Sequence, residues 1–174
     1  MSVLIRAARR PDDDVQILGV VGAAFADDTR DAGEELAIVR RTWDTCAAAW
    51  LVELVADESG AVVAHALAAP GRLDGTACAV AGVAPVCVAP SHQGRGIGTA
   101  LMEAIVAEAH ARRWPLLVLL GDPAFYGRVG FSAAGPLGIH YAPVGPDSPH
   151  FLARPLGSAT APGHGEFTYC WEPL

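Results

Sequence analysis

The chain has 174 residues, of which 52% are hydrophobic and 18% charged, and its mean hydropathy is +0.31. This length favours one domain whose core can fold without disulfides or metal ions, and the composition excludes a disordered tail. The formal net charge is −7, and all 12 basic residues are arginines. Because phosphate binding needs a basic surface, we expect no nucleic-acid partner.

No segment predicts a membrane span or a secretion signal. The longest uncharged apolar run, 77–90, is shorter than the about 18 residues that a transmembrane helix needs, and it contains two prolines. The N-terminus has no apolar stretch followed by a cleavage site. We therefore expect a cytoplasmic protein without membrane partners.

The four cysteines are too scattered to form a common motif. None of the pairs formed by Cys46, Cys78, Cys87 and Cys170 has CxxC spacing, which excludes a zinc ribbon and a thioredoxin-type site. In a cytosolic chain this pattern predicts reduced thiols.

The first half of the chain predicts two helices and a hairpin. A strand over 3–7 precedes a helix that begins near Pro11, where Asp12, Asp13 and Asp14 suit the positive end of the helix dipole. Apolar spacing then predicts the following elements in order: a helix over 32–43, a strand over 50–56, a turn over 57–60, a strand over 61–69 and a loop over 71–75.

The second half predicts a strand–helix–strand unit followed by loops. Strands over 77–88 and 115–120 flank a helix over 96–112, which predicts a parallel pair with a right-handed crossover. A short helix over 125–128, loops with short strands over 135–165, and a terminal strand over 165–171 follow. The role of 135–165 stays open.

Without a repeat or linker, the pattern predicts one mixed α/β domain over 1–174.

The most informative segment is a glycine-rich loop between the strand over 77–88 and the next helix. Its glycines, Gly94, Gly96 and Gly98, allow tight turns, and the first N–H groups of the helix form an anion site. A P-loop would need lysine, which the chain lacks. A dinucleotide fingerprint would place the third glycine one residue later. The remaining options are an acetyl-CoA pyrophosphate loop, with the pattern Gln/Arg-x-x-Gly-x-Gly/Ala, and a purely structural turn.

A second motif follows at 121–131, with the letters GDPAFYGRVGF. Together with the loop, it resembles the GCN5-related N-acetyltransferase (GNAT) superfamily, and the tail over 150–169 resembles a bacterial subgroup of predicted N-acetyltransferases. The resemblance covers nearly the whole chain and is strongest from 86 to 131. It implies a mostly antiparallel sheet with a central βαβ crossover and flanking helices.

The resemblance also implies acetyl-CoA as the co-substrate and direct attack of an amine on its thioester. The residues that would hold the cofactor belong to the strand end and the loop: Val86, Cys87, Val88, Gln93, Gly94, Arg95, Gly96, Ile97, Gly98 and Thr99. The region 90–131 has four arginines against three acids, so it is more basic than the rest of the chain, as an anionic cofactor requires.

Tyr126 occupies the position of the family's catalytic acid, which protonates the leaving thiolate. A phenol with a pKa near 10 stays protonated at neutral pH and can donate. The general base stays open between Glu53, His65 and a chain of water molecules. The family's asparagine near the fifth strand is missing, so Asp122 or the backbone would take its place.

The acceptor is a small-molecule or peptide amine that the sequence does not identify. Histidines at 140, 150 and 164 lack metal-ligand spacing, so we expect no metal. Relatives are often dimers, which leaves a homodimer open. The alternative function is a non-catalytic acyl-CoA-binding sensor or scaffold, since no base is obvious.

Overall fold

The computed structural model describes residues 3–26, 32–74, 76–157 and 163–172, with the backbone alone over 76–79. The strands are β1 Leu4–Ala7, β2 Val52–Glu58, β3 Ala61–Leu73, β4 Thr76–Val88, β5 Leu116–Leu120, β6 Ser132–Ala133, β7 Ile139–His140, β8 Phe151–Pro155 and β9 Gly165–Thr168. The α-helices are α1 Asp14–Phe25, α2 Gly33–Thr45, α3 Ile97–Ala111 and α4 Pro123–Tyr126. Within these residues, no helix is long and apolar enough to cross a membrane.

The strands form one mixed sheet in the order β1-β2-β3-β4-β5-β8-β6, and β9 joins β3 and β7. All pairs are antiparallel except β4–β5 and β7–β9. The β4–α3–β5 unit confirms the predicted parallel crossover.

The helices cover both faces of the sheet. On β2, Leu54 and Ala56 belong to the core under α3, whereas Val55 between them packs with α1 and α2. This separation follows from the alternation of side chains along a strand. The apolar stripe of α3, which includes Leu101 and Ile105, is completely buried against the sheet.

The central feature of the sheet is that β4 and β5 separate. They pair only from Val80↔Leu116 to Gly82↔Val118. Immediately beyond, β4 carries one extra residue against β3, because Ala66 pairs with Val86 while Ala68 pairs with Val83. This bulge contains Pro85, which has no N–H to donate to a neighbouring strand. The last residues of β4 therefore pair with β3 on one side and border a gap on the side of β5.

The prediction of a loop over 71–75 is wrong for its first residues. Strand β3 continues to Leu73 and pairs there with β9. Gly71 lies within this strand. The position requires glycine because a Cβ there would collide with the Phe167 ring and the Thr168 backbone. The glycine thus marks a close crossing of two strands and not a turn.

The prediction of reduced thiols is wrong for two cysteines. Cys46, just after α2, and Cys170, just after β9, form a disulfide across 124 residues of sequence. Cys87 is free and buried, while the side chain of Cys78 lies outside the described part. Sequence spacing gave no sign of this pair, because α2 and β9 meet only in the folded protein.

Reduction of this disulfide should lower thermal stability. Closing so long a loop restricts the unfolded chain and contributes about 5 kcal/mol, so dithiothreitol should lower the Tm by about 10–20 °C. The matched control is Cys46→Ser, whose Tm should not respond to the reductant. Equal Tm values for the wild type with and without dithiothreitol would show that the bond does not stabilise the fold.

Candidate active site

The loop between β4 and α3 is shaped by two left-handed glycines. Gly94 has a φ of 73° and Gly96 a φ of 79°, which L side chains rarely adopt. Gly96 is also the N-cap of α3, so no cap side chain bonds the first N–H groups of the helix. The N–H groups of Ile97, Gly98 and Thr99 thus lack an intrahelical acceptor, at the positive end of the dipole. This arrangement suits a phosphate.

A cavity of about 520 Å³, here called the loop cavity, lies beside this loop. Nine of the ten predicted cofactor-binding residues line it: Val86, Cys87, Val88, Gln93, Gly94, Gly96, Ile97, Gly98 and Thr99. The tenth, Arg95, lies elsewhere and donates a hydrogen bond to Glu58 at 2.9 Å. The structure thus brings the end of β4 and the start of α3 together at one cavity.

Tyr126 lines the loop cavity. Helix α4 starts at Pro123 after Asp122, whose carboxylate accepts a hydrogen bond from the Ala124 N–H at 2.9 Å. Gly121 makes room for the Tyr126 ring, since a Cβ there would collide with it. Burial is the main cause that raises the pKa of Tyr126 to about 12. The hydroxyl therefore stays protonated in neutral and mildly alkaline solution.

A second cavity of about 790 Å³, here called the acidic cavity, also has Tyr126 in its lining. Its walls come from α2, the bulge of β4, the end of β5 and the C-terminal segment 169–172. The two cavities share four lining residues: Phe25, Val86, Asp122 and Tyr126. Val86 and Tyr126 thus stand where the two spaces meet.

The C-terminal wall of the acidic cavity is built from aromatic rings and one fixed carboxylate. Glu172 accepts hydrogen bonds from the Tyr141 hydroxyl and from the Tyr169 N–H, each at 2.7 Å. Trp171 stacks on Tyr169 with ring centroids 4.2 Å apart. Burial, the bond to Glu172 and the negative charge of Glu34 all raise the pKa of Tyr141. Glu34 of α2 and this wall line the same cavity.

The chain is similar to known acetyltransferases in sequence. A family model described as an acetyltransferase (GNAT) domain matches residues 5–134. The chain belongs to the GNAT acetyltransferase family. It is also 30% identical to the uncharacterized N-acetyltransferase YhbS of Escherichia coli (strain K12), over 56% of this chain and 66% of that relative.

Two solved structures of GNAT proteins are similar over most of their length. One is a GNAT family acetyltransferase from Brucella melitensis in complex with acetyl-CoA. It is 30% identical, with a TM-score of 0.79 over 97% of this chain and 96% of that one. The other is YhbS from Escherichia coli in complex with CoA, 25% identical, with a TM-score of 0.81 over 96% and 89%. The family match and the similar solved structures confirm the predicted fold class and the predicted enzyme class. They also confirm acetyl-CoA as the acetyl donor, and they leave the acceptor unknown.

The two side chains considered as the general base line neither cavity. His65 is completely buried, and its Nε2 lies 2.9 Å from Oε1 of Glu53, which also accepts from the Trp43 indole at 2.9 Å. Glu53 lines a different cavity, together with Arg10 and Trp43. Glu53 and His65 thus form a buried pair outside the lining of the two cavities that contain Tyr126.

Cys87 lines the loop cavity, but its thiol is not activated. Burial raises its pKa to about 12, so the reactive thiolate is not populated near neutral pH. This agrees with the sequence interpretation that the residue contributes its backbone and a small apolar side chain.

Sequence reasoning missed several residues that the fold brings to the site. Phe25 at the end of α1, with His92 and Arg128, lines the loop cavity. Their sequence signals were weak: Phe25 was one apolar position of a helix, and Arg128 was counted only as a charge. Across the described residues, no group of three or more His, Cys, Asp or Glu side chains is placed to hold a metal ion.

The positive φ of Gly96 gives a direct test of the loop. In Gly96→Ala, the backbone must strain or shift, and the N–H groups that face the cavity would lose their alignment. We expect acetyl-CoA affinity to fall by about tenfold, which equals about 1.4 kcal/mol. Isothermal titration calorimetry would measure this loss.

The matched control is Gly60→Ala. Gly60 has a φ of 91° in the β2–β3 turn and also faces open space, but it lines neither cavity. Both variants should lose stability, and only Gly96→Ala should lose affinity. The same dissociation constant for both would show that the loop does not bind the cofactor.

Proposed function

We propose that this chain transfers the acetyl group of acetyl-CoA to a primary amine, which attacks the thioester directly. The observation that carries the proposal is the meeting of the loop cavity and the acidic cavity at Val86 and Tyr126. One cavity has the donors that an anionic cofactor needs, and the other has the carboxylates that an amine needs. Their junction is the point where the acetyl group would be transferred.

The cofactor would lie along the loop cavity. The N–H groups from Gly94 to Thr99 would bind the pyrophosphate. The pantetheine arm would occupy the gap beside Val86, Cys87 and Val88, where β4 has no β5 partner. Because these are backbone contacts, the apolar side chains of β4 are compatible with them.

The reaction needs two groups at the junction. Attack by the amine nitrogen forms a tetrahedral intermediate, whose oxyanion would accept a hydrogen bond from the Val86 N–H. The C–S bond then breaks, and Tyr126 would give its proton to the departing thiolate sulfur. The protonated state of Cys87 is consistent with transfer that does not pass through an acetylated cysteine.

The amine must also lose a proton before or during its attack. The acidic cavity supplies carboxylates for this step, directly or through water. They are Glu34, Glu35, Asp122 and Glu172. We propose this set in place of Glu53 and His65, because it lines the space that the acceptor would enter.

A non-catalytic acyl-CoA sensor is the competing function. It needs the loop cavity but gives no role to a second cavity that shares Val86 and Tyr126 with it. The single domain over 1–174, the cytoplasmic location and the homodimer stay predictions from the sequence.

Removal of the Tyr126 hydroxyl should slow the chemical step. In Tyr126→Phe we expect kcat to fall by about 100-fold or more, because a general acid contributes roughly that much, with little change in acetyl-CoA affinity. Free-thiol release with a panel of primary amines would measure the rate. Tyr141→Phe is the control, since Tyr141 lines only the acidic cavity and should affect the KM of the amine instead.

The pH dependence of kcat provides a second test of the role of Tyr126. With its pKa raised to about 12, Tyr126 keeps its proton as pH rises from about 8 to 10, so kcat should not fall over that range. A loss of activity near pH 10 that disappears in Tyr126→Phe would contradict the raised pKa. Unchanged kcat in Tyr126→Phe at every pH would remove Tyr126 as the acid.

A further inference from the structure

A carboxylate lies beside the loop that would bind the pyrophosphate. Glu58, the last residue of β2, accepts hydrogen bonds from Nε2 of His92 at 3.1 Å and from the guanidinium of Arg95 at 2.9 Å. A negative charge at this place repels an anionic ligand, so the attraction of the cofactor gives no reason for it. The two hydrogen bonds point to a different role for this side chain.

The two bonds reach the loop on either side of Gly94. Together they lower the pKa of the Glu58 carboxyl, with the bond from His92 as the largest cause, so the carboxyl is ionised near neutral pH. An ionised carboxylate only accepts, so Nε2 of His92 donates to it, and the Ser91 hydroxyl, 2.9 Å from Nδ1, can donate to the other nitrogen of a neutral ring. The His92 ring, which lines the loop cavity, is thus held at both nitrogens.

The backbone around Arg95 needs such an anchor. Gly94 and Gly96, on either side of it, both have positive φ and face open space. Glycine has more conformational freedom to lose than any other residue, so an unanchored loop would be ordered at the expense of binding energy. A bond to the Arg95 side chain restricts the backbone between the two glycines. A loop that is ordered before its ligand arrives binds that ligand more tightly.

Glu58 is placed to act on the loop more than on the stability of the fold. Its backbone belongs to the sheet, because it pairs with Ala61 of β3. The Arg95 side chain is 45% exposed, and an ion pair with so exposed a partner contributes little to stability. The consequence of the bonds is therefore local order in the segment that carries the N–H groups of the candidate pyrophosphate site.

We propose that Glu58 is a positioning residue, which orders the loop for the pyrophosphate of acetyl-CoA through His92 and Arg95. The inference rests on the proposed placement of the cofactor, and it adds a residue that does not itself line the loop cavity. It also explains why Arg95, which was predicted to bind the cofactor, does not line that cavity, since its guanidinium is bound to Glu58.

The sign of the change in affinity tests this role. In Glu58→Ala the loop loses both bonds, and we expect the dissociation constant of acetyl-CoA, measured by isothermal titration calorimetry, to rise by about tenfold. If Glu58 acted through its charge alone, the same variant would bind the anionic cofactor more tightly. Glu58→Gln removes the charge but keeps an oxygen that can accept one of the two bonds, so it should recover part of the affinity. A dissociation constant in Glu58→Ala at or below that of the wild type would overturn the inference.

Asp57→Asn is the matched control. It removes the same charge from the neighbouring residue, which lines neither cavity, and it keeps an oxygen for the Gly60 N–H that Asp57 binds in the β2–β3 turn. We expect an unchanged dissociation constant for Asp57→Asn. Hydrogen exchange of the free protein over 94–99 should be faster in Glu58→Ala than in this control. An equal loss of affinity in the two variants would refute a specific role of Glu58.

The outcomes separate this inference from the proposed function. Calorimetry with acetyl-CoA needs no acceptor, so the test is independent of whether an amine substrate is found. Weakened binding in Gly96→Ala together with wild-type affinity in Glu58→Ala would overturn the role of Glu58 and leave the placement of the cofactor intact. Wild-type affinity in both variants would overturn the placement of the cofactor as well.

Discussion

The separation of β4 from β5 is the constraint on which the site depends. Three residue pairs hold β4 and β5 together. The bulge that contains Pro85 follows, and β4 then separates from β5. The gap leaves the β5-facing edge of β4 free, and Val86 on that strand lines both cavities. Had pairing continued to the end of β5, Val86 would face a neighbouring strand, and the loop cavity and acidic cavity would have no junction. A defect in the sheet is therefore what makes a reaction site on this scaffold.

The two cavities differ in the charge of the groups that line them. An acidic chain must hold an anionic cofactor and also an amine that seeks negative charge. The structure separates the two requirements. The start of α3 offers backbone N–H groups and the positive end of a dipole, and Arg128 lines the same cavity, while three of the four carboxylates, Glu34, Glu35 and Glu172, line only the other space. Net charge alone could not show this, because it sums over both regions.

The parts of the fold and of the candidate site that could be predicted from the sequence are those whose pattern lies within one short segment of the chain. The glycine loop, the β4–α3–β5 unit and Tyr126 each lie within a short continuous segment, and their patterns specify backbone geometry directly. Gly71 shows the limit of this reasoning. As a letter it predicts a turn, but its reason is the Phe167 ring about a hundred residues later. The Cys46–Cys170 bond and the acidic cavity fail to appear in the sequence for the same reason, because they join segments that meet only after folding.

The division between cofactor and acceptor follows the chain. The family match ends at residue 134, and the loop cavity lies wholly before that point. The acidic cavity takes one wall from the segment after it, which is anchored by close contacts: a Cβ at Gly82 would collide with the Tyr169 ring, and β9 pairs with β3. The Cys46–Cys170 disulfide links the segment of that wall to the residue after α2, a helix that also lines the cavity. Under the proposed assignment of the two cavities, residues of α2 and the tail would select the acceptor, and they lie outside the glycine loop and the α4 segment that carry the cofactor motifs.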